Sequence, residues 1–333
     1  MAIQEGIYML WNAFNNEALD LSDGKWEYGQ VQTWESSNEA RDSDGQYNKR
    51  WLIAKIPGSD YYQIINSHYG VLAGGFAGER FGNWLVKVGP ISTDGSATRW
   101  KAVDAGNGLV RFVWAMDESR CLDIEGGKSH GSALIYQIGT NSRNQMWRLQ
   151  RDDGLDDRSN RWASWMRNVP DDTRLSMLNI PGTHQSIALH GIAVSDNPRC
   201  QNRPPYEQLC EGIRYLDLRF DRWMGSNEQP SLYARHGIAS MGFSLAAVLQ
   251  SLKIFLQKFP SEVVFISVSN ETGTDGFQES WQNDFKFFKD IFFTHGSDQR
   301  PRMADLTLGQ VRGKVICHND GLIWKWGPPW QGS

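Results

Sequence analysis

The sequence predicts a multidomain protein: an all-β β-trefoil followed by an α/β unit with the strand–helix alternation of a TIM-barrel-like (β/α) fold. The first 150 residues carry a threefold internal repeat, and beyond residue 163 apolar strands alternate with helical segments. Between them, residues 151–163 form a charged stretch that reads as a linker. The expected domains are therefore 1–150 and 164–333.

Each repeat ends in a Trp preceded by polar residues: Asn48-Lys49-Arg50-Trp51, Ala97-Thr98-Arg99-Trp100 and Asn144-Gln145-Met146-Trp147. The Trp spacings are 49 and 47 residues. Short alternating strands open the segments at Gly6–Leu10, Tyr61–Ile65 and Gly108–Phe112. Two repeats continue into Leu19-Asp20-Leu21 and Leu122-Asp123-Ile124, each followed by a Gly. Three copies are too few for a propeller, which needs at least about four blades, and they suit a closed threefold fold. The three terminal Trp residues are expected in its core.

In the second half, strands are expected at 176–180, 213–220, 232–235, 263–268 and 314–317. A helix is expected after Ser244, its cap, with Leu245, Val248, Leu249, Leu252, Phe255, Leu256 and Phe259 as one apolar stripe. Pro260 stops it. This order implies a mostly parallel sheet or barrel. From residue 165 onward there are 169 residues, short of the roughly 200 or more of a complete eight-stranded barrel, so a partial barrel is expected.

Composition narrows the partners. A formal net charge of −4 over 333 residues disfavours nucleic acid, which wants a basic surplus. Fifteen Trp and 33 Gly are the unusual entries, and they suit small β repeats that use aromatic rings for packing or sugar stacking. No run of 18 apolar residues marks a transmembrane segment, and the N-terminus shows no classical signal peptide, which leaves the compartment open. The cysteines at 121, 200, 210 and 317 are too few for a disulfide framework. Free thiols are the default, with Cys200–Cys210 the pair that a secreted protein could join. Trp324, Trp326 and Trp330 fit either a lipid interface or buried packing.

The order of strand, Leu-Asp-Leu, Gly and terminal polar-x-Trp, three times over residues 5–150, resembles the ricin B lectin family. The resemblance implies a carbohydrate-binding module. Its sugar-contacting residues would be Asp20, Gln32, Trp34 and Asn48 in the first repeat, and Asp123, Tyr136, Asn144 and Gln145 in the third. The middle repeat has Ala73 and Gly74 where an Asp is expected, so it is a structural copy. A carboxylate and an amide beside an aromatic platform can recognise a neutral sugar.

Two histidines stand at the ends of expected strands: His184 after Pro181-Gly182-Thr183, and His236 before Gly237. Between them, period two puts Ile213, Tyr215, Asp217 and Arg219 on one strand face and Leu216, Leu218 and Phe220 on the other. Barrel enzymes carry catalytic groups at the C-terminal ends of their strands. Asn270 and Glu271 follow another strand, as do His318, Asn319 and Asp320. Two imidazoles, an Arg and a carboxylate suit phosphoryl transfer without a metal.

The set Pro181-Gly-Thr-His184, Cys200-Gln201, Gln208-Leu209, Gly212-Ile-Arg-Tyr-Leu-Asp-Leu-Arg219 and His236-Gly237 resembles the X region of phosphatidylinositol-specific phospholipase C. It covers about residues 165–320 and is most similar to the metal-independent bacterial type. The resemblance implies His184 as general base, His236 as general acid, Arg219 on the phosphate and Asp217 orienting Arg and base. Gln185 and Glu271 would be substrate-binding residues, and no cofactor or metal is implied. The implied partner is phosphatidylinositol, or a glycosylated inositol lipid, at a membrane surface, with glycans on the lectin side. The sequence departs from the family at Gln185, where an Asp supports the general acid, and at Ser269, where a basic residue is usual. Those departures, with the short barrel, leave a second expectation standing: a carbohydrate-binding protein with an inactive barrel.

Overall fold

The computed structural model describes residues 2–22, 30–35, 47–56, 59–66, 70–80, 83–89, 96–139, 142–151, 161–189, 199–223, 231–237, 239–294 and 305–318. Most of the linker stretch, Asn319, Asp320 and the three C-terminal Trp residues lie outside these. The chain divides into two compact units, Met1–Asp153 and Gly154–Ser333.

The first unit is all β. Strands β1 (Gly6–Asn12), β2 (Ala18–Leu21), β3 (Val31–Trp34) and β4 (Trp51–Lys55) make the first repeat. Strands β5 (Tyr61–Asn66), β6 (Gly70–Arg80), β7 (Asn83–Gly89) and β8 (Trp100–Gly106) make the second. The third holds β9 (Leu109–Trp114), β10 (Arg120–Ile124), β11 (Ala133–Gln137) and β12 (Trp147–Arg151). Strands β1, β4, β5, β8, β9 and β12 pair in that cyclic order, and β12 returns to β1, so no barrel edge is left open.

The other six strands form three hairpins, β2–β3, β6–β7 and β10–β11. These touch one another through Leu134↔Leu85, Gln30↔Lys87 and Gln32↔Ser132, giving the triangular cap of a β-trefoil. The equivalence of the repeats is visible atom by atom. Trp51 Nε1 donates to Leu19 O at 2.9 Å, Trp100 Nε1 to Leu72 O at 3.0 Å and Trp147 Nε1 to Leu122 O at 3.5 Å. All three rings are fully buried in one core cluster with Leu19, Leu72 and Leu122. A buried indole needs a partner for its N–H, and the same carbonyl supplies it each time. This register puts Ala73 where the other repeats have Asp20 and Asp123.

In the second unit, β13 (Gly182–Thr183) and α1 (Pro205–Cys210) precede β14 (Tyr215–Trp223), β15 (Ser231–His236) and β16 (Ala239–Ser244). Helix α2 (Leu245–Lys258), β17 (Val264–Asn270), α3 (Phe277–Phe285), α4 (Leu308–Val311) and β18 (Val315–His318) follow. The sheet runs β16-β15-β14-β17-β18, with β13 beside β14. Among the described residues it is an open sheet. Ser244 caps α2 as expected, its hydroxyl accepting from Ala247 N at 3.2 Å.

One expectation needs correction. The segment 176–180 is not a strand: Leu175–Met177 is a 3-10 turn, and the strand that follows is only Gly182–Thr183. Its apolar residues Leu178 and Ile180 pack instead against the cluster holding Phe265 and Ile316. The sheet is mostly parallel, as expected: β13, β14, β17 and β18 are parallel, while β15 runs antiparallel to β14, and β16 antiparallel to β15. The seven residues between Trp223 and Ser231 are too few for a parallel crossover, which takes about a dozen or more.

Register sorts the sheet into layers. Tyr215 pairs with Phe265 and Phe265 with Ile316, an apolar floor on one face. Further along that face come Asp217 beside Ser267, then Arg219 beside Ser269. The opposite face carries Leu216, Leu218, Phe220, Ile266 and Val268, all buried. At the N-terminal end of β14, Arg214 is wholly buried and ion-paired to the equally buried Glu262 at 2.7 Å.

Candidate active site

The polar face of β14 becomes a site because β13 brings His184 alongside it. Gly182 allows that approach: a Cβ there would stand 3.0 Å from the Cβ of Tyr215. After His184 the chain turns through Gln185 at φ +47°, left-handed backbone that a non-Gly residue holds only when its surroundings over-determine it. Asp217 does that. Its carboxylate accepts from Gln185 N at 3.0 Å, its carbonyl from Ser186 N at 2.8 Å, and its own N–H donates to Ser186 Oγ at 2.8 Å. Thr183, Ser186 and Gln208 brace the turn from behind through 2.7 Å contacts.

His184 Nδ1 stands 3.2 Å from Asp217 Oδ2, and the ring is 67% exposed. With Nδ1–H donated to the carboxylate, Nε2 is left facing outward as an acceptor. Arg219, two residues along the same face, donates from Nε and Nη2 to the two Asp217 oxygens at 3.3 and 3.2 Å. Its Nη1 reaches Glu271 Oε2 at 3.5 Å. Gln185 is fully buried. In the amide orientation that satisfies both partners, its oxygen accepts from Arg219 Nε at 3.2 Å and Nη1 at 2.9 Å. Burial works to lower the Arg219 pKa, but the hydrogen bonds and charges of Asp217 and Glu271 outweigh it and raise the value further. The guanidinium is thus a fixed positive charge.

Glu271 Oε1 accepts from Gly237 N at 3.0 Å, which ties the turn after His236 to the arginine. Gly237 sits at φ +55°, as a tight two-residue turn into β16 requires. His236 Nδ1 meets Cys200 Sγ at 3.7 Å. His184, Asp217, Arg219, Gln185, Glu271 and the His236 turn therefore form one connected network. Cys200 and the Thr183–Ser186–Gln208 brace were not picked out as site residues. Both lie in segments whose only signal in the sequence was a short motif. Among the described residues, no group of three or more His, Cys, Asp or Glu side chains is gathered for a metal. Nor is any described helix long and apolar enough to cross a membrane.

In the first unit, the third repeat gathers its polar residues tightly. Asn144 Nδ2 donates to both Asp123 oxygens at 3.1 and 3.0 Å, and Gln145 Nε2 to Oδ2 at 2.8 Å. Tyr136 lies opposite Cys121 on the facing strand, diagonal to Asp123, and is 45% exposed. In the first repeat Gln32 Nε2 donates to Asp20 Oδ2 at 3.2 Å. Trp34 is 43% exposed, and His130 stacks on it at 3.8 Å. Asn48 lies in the turn before Trp51, where its carbonyl accepts from Asn66 Nδ2 at 3.3 Å.

Burial pushes the Asp123 carboxyl up to about 6, against the Gln145 and Asn144 hydrogen bonds that lower it. The folded state therefore holds this proton more tightly than the unfolded chain does. The stabilisation is fully present below about pH 4 and lost as pH rises through about 6. From pH 7 to pH 4, the wild type should gain about 2 kcal/mol relative to Asp123→Asn, which lacks the titration. Urea melts of both proteins at the two pH values measure this. A stability difference that does not change with pH means Asp123 ionises normally.

A family model described as phosphatidylinositol-specific phospholipase C, X domain, matches residues 178–320. The 1-phosphatidylinositol phosphodiesterase of Listeria monocytogenes is 31% identical over 157 residues, 46% of this chain and 47% of that protein. The protein of the same name from Staphylococcus aureus strain Newman is 26% identical over 167 residues, 47% of this chain and 50% of that one. The chain thus spans about half the length of the curated relatives it matches. Among solved structures, the Listeria monocytogenes phosphatidylinositol-specific phospholipase C is similar at 30% identity and TM-score 0.40, covering 47% of this chain and 56% of that one. The Rhizoctonia solani agglutinin is similar at 18% identity and TM-score 0.38, covering 46% of this chain and 99% of that one. The C-terminal half is therefore homologous to phosphatidylinositol phosphodiesterases.

Proposed function

We propose that the second unit is a phosphodiesterase of the phospholipase C type acting on phosphatidylinositol-type lipids, and that the first is a carbohydrate-binding module that targets it. The observation that carries the catalytic reading is the continuous network from His184 through Asp217 and Arg219 to Glu271 and the His236 turn. In this reading His184 Nε2 takes the proton of the inositol 2-hydroxyl as its oxygen attacks phosphorus. The bond from phosphorus to the diacylglycerol oxygen breaks, and His236 gives that oxygen its proton. The products are a cyclic inositol phosphate and diacylglycerol. Asp217 holds the base in the useful tautomer, and Arg219 neutralises charge on the phosphoryl oxygens in the transition state. A glycosylated inositol lipid would suit the same chemistry.

The test is release of cyclic inositol phosphate from phosphatidylinositol vesicles with EDTA present. Release supports a metal-independent phosphodiesterase. No release from a folded chain favours the second reading, a carbohydrate-binding protein with an inactive catalytic unit. One observation favours that reading: the Gln185 amide engages Arg219 and brings no carboxylate to the acid. Glycan-array binding abolished by Asp123→Ala, with the fold retained, would assign the sugar site to the third repeat.

A further inference from the structure

Cys200 reaches His236 across 36 residues of sequence, with Sγ 3.7 Å from Nδ1. The contact is held by backbone on the cysteine side: Cys200 N and Gln201 N both donate to Ala188 O, at 2.8 and 3.0 Å. The next side chain, Gln201, donates from Nε2 to His184 O at 2.7 Å. One dipeptide therefore touches both histidine segments. Cys200 is also the one cysteine of the four that is not buried. Burial raises its pKa, Arg219 lowers it and Asp217 raises it, with a net rise that keeps the thiol neutral at neutral pH. The residue after His184, where the family resemblance expects the acid's supporting carboxylate, is Gln185, and its amide faces Arg219.

We propose that Cys200 is a positioning residue of His236: its thiol fixes the ring with Nδ1 inward and leaves Nε2 to meet the leaving oxygen. This rests on the phosphodiesterase reading above. A neutral thiol orients an imidazole through a weak hydrogen bond but does not stabilise its charged form as a carboxylate does. Several described charged groups near this pair have contacts of their own. Asp217 and Arg219 of β14 bind each other, Glu271 after β17 holds Gly237 N, and Arg235 of β15 pairs with Asp221 at 3.1 Å.

The experiment compares the full chain with Cys200→Ala, Cys200→Ser and Cys200→Asp. It reads the pH profile of kcat and the His236 ring nitrogens by 15N NMR. Cys200→Ala should lower kcat about tenfold with KM nearly unchanged, and should alter the His236 ring signals. Cys200→Ser should recover part of the loss. Cys200→Asp should move the high-pH limb of kcat upward by about one unit, because a negative neighbour favours the imidazolium. Wild-type profile and wild-type His236 signals in Cys200→Ala overturn the proposal. If the unmutated chain releases no cyclic phosphate, the phosphodiesterase reading fails, and the NMR comparison alone decides the Cys200 contact. Changed His236 signals then support it, and unchanged signals refute it.

Discussion

Alanine at position 184 is expected to lower kcat/KM for phosphatidylinositol cleavage by about a thousandfold, through kcat rather than KM. The ring is exposed and its Nδ1 stands 3.2 Å from Asp217 Oδ2, so its removal leaves the strands beneath it intact. General base catalysis by a positioned imidazole contributes about 10² to 10⁴. The loss should therefore come without a fall in thermal stability. His236→Ala should lose a similar factor. Asp217→Asn should behave differently, because Asp217 also pins the Gln185–Ser186 turn and accepts from Nε and Nη2 of Arg219. It should cost stability as well as rate. Measuring kcat, KM and melting temperature for the three variants separates these roles. Near-wild-type activity in His184→Ala would remove it from the chemistry.

The second large effect is on folding. Glu262→Ala should destabilise the second unit by about 3–5 kcal/mol, because it leaves the Arg214 guanidinium buried without its counter-charge. Both side chains are 0% exposed, so water cannot compensate. Arg214 also donates to the carbonyls of Leu209, Ile213, Trp162 and Ala163 and lies 4.8 Å from the Phe255 ring, so it cannot swing out to solvent. Glu262→Gln keeps an acceptor and should cost less. Replacing the pair together by Met and Leu should recover much of the loss, since two apolar groups leave no charge stranded. Urea melts provide the comparison. Equal loss in Glu262→Ala and in the double replacement would mean that packing, not charge, is what the pair supplies.

Much of the fold was legible because it rests on local rules. The Trp51, Trp100 and Trp147 spacing announced a threefold repeat, since each copy must bury the same ring against the same carbonyl. The apolar stripe from Leu245 to Phe259 announced α2, because a helix must turn one face inward every 3.6 residues. The antiparallel β15 was legible too, in a connection too short to cross over, though the strand–helix alternation hid it. The segment 176–180 misled for a different reason. Apolar residues report burial, and Leu178 and Ile180 are packed without being paired.

The sequence by itself determined the two kinds of architecture and which residues lie along one face of β14. It placed Asp217, Arg219 and the two histidines as candidates, because strand periodicity and motif order are properties of neighbouring residues. Only the tertiary structure decided how those groups are shared. Gln185 faces Arg219 rather than supporting the acid, Glu271 spans from Arg219 to Gly237, and Cys200 meets His236. Each of these contacts joins residues 34 to 36 positions or more apart. No local pattern encodes such a contact, because the distance between two side chains on different elements is set by how the strands register and how the turns between them close.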